Sequence, residues 1–146
     1  MNAATLLFVP IVLPLLLAVF VLPLFRKSYK AGAGLLLVSV LLSGFAFWAA
    51  SASAPNVAYS WVESFTLSFS LNSWKTFLLA FVFVFQLMTA VYSIGATRPA
   101  HPYLHLFALF IAFSSTCAVI MTDNLLILLI GWEMFLAALY IMIESS

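Results

Sequence analysis

The stretch TDNLLILLIGWEMFLAALYIMI, residues 122–143, decides the reading of this chain. It is apolar for long enough to cross a bilayer at a helical rise of about 1.5 Å per residue. Glu133 is the one ionisable residue in its interior, and Asp123 stands at its start, ten residues earlier. Ten helical residues cover about 15 Å, half of a hydrocarbon core about 30 Å thick. With Asp123 at one water interface, Glu133 falls near the midplane. A carboxyl at that depth is costly unless it is neutral, paired or hydrated, which makes it a functional candidate by default.

Working outward, the composition is that of an integral membrane protein. Of 146 residues, 66% are hydrophobic and 6% charged, against about 25% charged for a soluble domain. A net charge of +1 leaves no basic footprint for nucleic acid. Cys117 is the single cysteine and lies in an apolar run. It reads as a small buried hydrophobe, with neither an internal disulfide nor a CxxC metal site open to it.

Residues 4–25, 31–52, 74–95, 103–121 and 123–143 are predicted transmembrane helices, forming one membrane domain over 1–146. The first run has no basic leader and no small-residue cleavage site, so it is expected to be a retained helix and not a signal peptide. Its prolines, Pro10, Pro14 and Pro23, are expected to shape packing. Gly32, Gly34, Ser39, Ser43 and Gly44 in the second run suit close helix contact. Ala-Pro-Asn at 54–56 breaks that helix. Residues 57–62 and 65–71 then alternate between apolar and polar, which predicts a β-hairpin over 57–71 turning at Glu63-Ser64. Open strand edges do not face lipid, so the hairpin belongs at the membrane surface, with Trp61 and Trp74 in an interfacial belt.

Arg26, Lys27 and Lys30 in the first loop, with Arg98 in the third, assign those loops to the cytoplasm by the positive-inside rule. The N-terminus, the hairpin and Asp123 then face outward, and the C-terminus faces inward. Lys75 falls on the outer side and is expected beside Glu63. The predicted fold class is all-α integral membrane, with five transmembrane helices and a short β-hairpin on the non-cytoplasmic surface.

Several side chains carry candidate chemistry. Glu133 reads as a proton-relay or charge-coupling acid, against the alternative of a neutral carboxyl bonded to a neighbouring helix. His105, near the start of the fourth helix, suits a proton shuttle or an interfacial bond to water or a carbonyl. His101 lies four residues earlier, but Pro102 separates the two, no third ligand is visible, and no metal site is expected. Asp123 is expected to cap the fifth helix at its positive dipole end. Glu144 follows Glu133 by 11 residues and so projects near the same face, as a proton-uptake group or a solvated end. Ser114, Ser115 and Thr116 offer either a polar track or packing hydroxyls, and Gln86 is expected to bond between helices.

Thr122-Asp123-Asn124-Leu125-Leu126, followed by Gly131-Trp132-Glu133 and a small-residue tail with Tyr140, resembles the fifth helix of the antiporter-like subunits of respiratory complex I. The same module occurs in multi-subunit cation/proton antiporters and membrane-bound hydrogenases. Phe69-Ser70-Leu71-Asn72 ahead of the third helix is similar to the family's strand-then-helix step, with Asn72 where Asp is usual. Val91-Tyr92-Ser93 and Tyr103-Leu104-His105-Leu106-Phe107 also fit. The resemblance spans the whole chain as the N-terminal five-helix portion of such a subunit, and it is most specific from Asp123 to Glu133.

The resemblance implies proton or sodium translocation, with Glu133 matching the Glu that pairs with a Lys on a later broken helix. That Lys, the broken helices and the second inverted repeat have no counterpart in these residues, and sites of this kind are built between repeats. A split subunit, a shortened remnant and a truncated copy all fit. The expectation is a membrane subunit whose partners are lipid and other membrane subunits, one of them supplying the Lys. Redox chemistry would reside in those partners, for example in an NADH dehydrogenase-like or hydrogenase module, with no cofactor held here. A non-conducting assembly subunit and a small stand-alone homo-oligomeric transporter are the rival readings.

Overall fold

A computed structural model describes residues 3–25, 28–52, 56–62, 65–95 and 99–145. The loop residues Arg26, Lys27 and Arg98, the break at Pro55, the turn at Glu63-Ser64 and the side chain of Trp61 lie outside the described residues.

The first apolar run is not one continuous α-helix. Helix α1 (Ala3–Leu16) contains Pro10 and Pro14, passes into a π-helical turn at Leu17–Val21, and tightens to a 3-10 turn at Leu22–Phe25. Each proline removes a ladder N–H and crowds the carbonyl four residues earlier. Pro23 lies within the 3-10 turn, where it cannot donate to a resumed ladder. Ser114 of the fourth helix reaches across and donates to the Ile11 carbonyl at 2.5 Å, tying the two helices together.

Helix α2 (Tyr29–Ser51) starts at Ser28, whose hydroxyl accepts from the Ala31 N–H at 3.3 Å. Strands β1 (Asn56–Val62) and β2 (Phe65–Ser70) pair antiparallel, with an irregularity between Ser60 and Val62. Helix α3 (Ser73–Gly95) begins where Asn72 accepts the Lys75 N–H at 2.8 Å. Asn72 thus caps α3, a role that Asn and Asp fill about equally. Helix α4 (Pro102–Met121) opens with Pro102, whose missing N–H costs nothing in a first turn. Helix α5 follows over Leu125–Ser145.

Four of these helices, α2 to α5, are long and apolar enough to cross a membrane, and α1 is a shorter apolar helix. The ends of α2 to α5 lie within two residues of the predicted runs, whereas α1 stops at Leu16, well short of the predicted 25. The fold is mostly helical, as an all-α membrane protein requires.

Helix α4 is the hub. It touches α1, α2, α3 and α5, while α5 rides on its outer side as an antiparallel hairpin partner. Without a hydrophobic drive between helices in lipid, close packing decides association, and small residues allow it. Gly131, Ala138 and Ser145 form the buried line of α5, against Ala108, Ala112 and Ser115 of α4. A Cβ on Gly131 would meet Val119 Cγ2 at 2.7 Å. The outward faces stay apolar and uncovered: Phe45, Trp48, Tyr92, Leu125 and Ile143 are each at least 75% exposed, a surface that fits lipid or partner proteins and that water-soluble monomers rarely show.

The hairpin closes the end of the bundle where α4 turns into α5. Phe69 bridges to Thr122, and the Asp123 N–H donates to the Ser68 carbonyl at 2.9 Å. Phe69 also packs edge-on against Phe8 of α1, with ring centroids 5.2 Å apart.

Candidate functional site

Glu133 sits eight residues into the 21-residue α5, about 12 Å from its start. Gly131 and Ala138 set the face that α5 turns to α4. At 100° per residue, Glu133 lies some 200° round from Gly131, on the opposite face. It is exposed there, and among the described residues it makes no hydrogen bond or ion pair. Leu129, Ala137 and Tyr140 are its neighbours on that face by helical spacing, and each is exposed. Glu144 falls on the same stripe, as its spacing predicts, and is exposed at the helix end. The stripe therefore presents one carboxyl at mid-helix and one at the rim, to whatever lies beside the chain.

His105 and Glu144 are gathered at the end of the α4–α5 pair away from the hairpin. The turn around Asp123 makes residues equidistant from it meet. His101 and Ser145 are such a pair, and the His101 N–H donates to the Ser145 carbonyl at 3.1 Å. His105 Nδ1 lies 3.4 Å from the Ser145 hydroxyl. His101, Leu104, Ile141, Glu144 and Ser145 line a cavity of about 210 Å³. His101, which the sequence does not link to Glu144, thus shares a cavity with it. Counting outward from the turn is the signal that would have joined them.

Asp123 does not serve as the expected cap of α5. Asn124 does: its Oδ1 accepts the N–H groups of Leu126 at 2.9 Å and Ile127 at 3.3 Å. The helix begins at Leu125, so Asn124 is in capping register and Asp123 is one residue too early. The Asp123 carboxylate instead receives the Lys75 ammonium at 2.6 Å. Lys75 Nζ also donates to Ser70 Oγ at 3.0 Å and to the Met121 and Thr122 carbonyls at 3.1 and 3.3 Å. Lys75 is thus engaged by Asp123, and Glu63, its expected neighbour, lies outside the described residues. This clamp ties α3, β2 and the α4–α5 turn together.

The hydroxyls of α4 resolve to packing. Ser115 donates to the Ile111 carbonyl at 2.7 Å and Thr116 to that of Ala112 at 2.8 Å, which returns them to their own helix. Gln86 departs from its expected helix-to-helix bond: its buried Nε2 has no partner among the described residues. No cluster of three or more His, Cys, Asp or Glu suited to a metal occurs among the described residues.

The chain has no significant match to a family model, a curated protein or a solved structure.

Proposed function

We propose that this chain is an integral membrane subunit of a larger ion-translocating assembly, of the kind found in complex I-related and multi-subunit cation/proton antiporter machines. Glu133 is its relay acid. The observation that carries the reading is the placement of Glu133 at mid-helix on the α5 face turned away from α4, without a partner among the described residues. An ionisable group facing lipid there is strongly disfavoured, so a second polypeptide with a cation or a hydrated cavity is the fitting neighbour. His105, His101 and Glu144 gather at one end of the α4–α5 pair, where a group exchanging protons with water suits such a path. The first run, α1 with its π and 3-10 turns, is the fifth span. The positive-inside rule, applied to the basic residues of the sequence, supports a cytoplasmic His105 end and a hairpin on the opposite surface.

The broad uncovered apolar faces of α3 and α5 support a second reading, a non-conducting subunit that docks other membrane proteins. One variant separates the two. Glu133→Gln in native membranes should strongly reduce coupled ion translocation while the assembly stays intact. Normal translocation in that variant leaves the docking role.

A further inference from the structure

Helix α2, which packs on α1, buries two hydroxyls that bond nothing among the described residues. Ser39 and Ser43 are each 0% exposed, and neither oxygen has a hydrogen-bond partner among the described residues. They stand one turn apart on one face of α2, near its middle. A buried hydroxyl without a partner is unfavourable anywhere, and in hydrocarbon no bulk water relieves it.

The facing helix has a matching deficit. Helices α1 and α2 run antiparallel: Leu22 reaches Gly32, Ala18 shares a cluster with Leu36, and Leu7 shares another with Phe47. Interpolating between these contacts brings Pro10 and Pro14 to the level of Ser43 and Ser39. Both prolines are fully buried. Pro14 has no N–H, so the Pro10 carbonyl loses its usual helical donor. Ser114 serves the next carbonyl, that of Ile11.

We propose that this seam binds ordered water, which bridges the Ser39 and Ser43 hydroxyls and the proline-freed carbonyl of Pro10 inside the bundle. Two hydroxyls and a carbonyl call for a small neutral ligand that both donates and accepts. Water does so with two to four partners. A cation would ask for more oxygen ligands and for negative charge, and these positions carry none. An apolar guest would leave the hydroxyls unpaired. Helix α4 lies between this seam and the outward face of Glu133, so the site stands apart from the proposed relay and does not depend on it.

The test is radiolytic hydroxyl labelling of the full chain in lipid nanodiscs equilibrated with oxygen-18 water. Bound water should deposit heavy oxygen on side chains at the levels of Pro10–Pro14 and Ser39–Ser43, and the label should be lost in a Ser39→Ala/Ser43→Ala variant. Absence of label in the native chain overturns the proposal, as does label that persists in the variant. Thermal unfolding reads the same question independently. Removing hydroxyls that bind water should lower the melting temperature, whereas removing dry ones leaves it unchanged or raises it, which also overturns the proposal. If the double variant does not fold, labelling of the native chain decides.

Discussion

The Lys75 ammonium meets the Asp123 carboxylate at 2.6 Å, joining the first turn of α3 to the turn between α4 and α5 across 48 residues of chain. The pair is unequal. The Lys75 side chain is 14% exposed and that of Asp123 43%. Removing the lysine strands the Met121 and Thr122 carbonyls as well as the carboxylate. Lys75→Met should therefore destabilise the chain by about 2 kcal/mol or more. Asp123→Asn, at a solvent-screened partner, should cost about 1 kcal/mol or less. Thermal unfolding of both variants in nanodiscs gives the order, and equal losses would contradict it.

Acid should act on the same clamp. Asp123 lies between the spanning helices. Partial burial pushes its carboxyl up. The bonds donated by Lys75 and Ser70, with the lysine's charge, pull it down further, so it rests below the ordinary carboxylate value. A carboxylate with a lowered folded pKa adds stability above its unfolded value of about 3.9 and loses it as pH falls through the folded one. The melting temperature should drop as pH falls below about 4, more in the native chain than in Asp123→Asn. Identical pH profiles would remove Asp123 as the source.

Gly131 makes a prediction that changes sign. Its missing Cβ admits the Val119 methyl, which an added carbon would meet at 2.7 Å. Val is stiff about χ1 and cannot easily swing away. Gly131→Ala alone should destabilise α4–α5 packing by about 1–3 kcal/mol, less the helix propensity that Ala adds. In a Val119→Ala background the clash is gone, and Gly131→Ala should stabilise by up to about 1 kcal/mol. The four chains compared by thermal unfolding complete the cycle.

Asn124 should behave as a cap and Asp123 should not. Asn124→Ala, which leaves the Leu126 and Ile127 N–H groups unmet, should cost about 1 kcal/mol. Asn124→Asp should stay close to native, since Asp caps equally well and adds charge at the positive helix end. Amide exchange in the first turn of α5 reads this directly.

Glu133 should be dispensable for the isolated chain. Its carboxyl bonds nothing among the described residues, so Glu133→Leu should leave the melting temperature of the purified chain unchanged or raise it. The same variant in native membranes should lose coupled ion translocation. A large loss of stability in the isolated chain would mean that the carboxyl holds a structural partner.

The apolar runs and the period of two in 57–71 were enough to mark the four long helices and the paired strands, because lipid demands long apolar segments and strands alternate their faces regardless of neighbours. The first run, expected as one helix over 4–25, is an α-helix only as far as Leu16. The stripe shared by Glu133 and Glu144 was legible for the same reason, since 100° per residue is a local property of the chain. Tertiary structure alone decided the partners. Lys75 chose Asp123 because the α4–α5 turn docks on β2, a contact between residues dozens of positions apart that no local pattern encodes. The cap moved to Asn124 because the hairpin holds Asp123 by its backbone N–H. The first run broke into α, π and 3-10 turns, and Ser114 ties it to α4 through the Ile11 carbonyl, a contact between distant residues that no local pattern encodes. Which face of α5 stays open followed from the small line of Gly131, Ala138 and Ser145 finding its match on α4, since in lipid the closest fit, and not the greasiest face, determines what is buried.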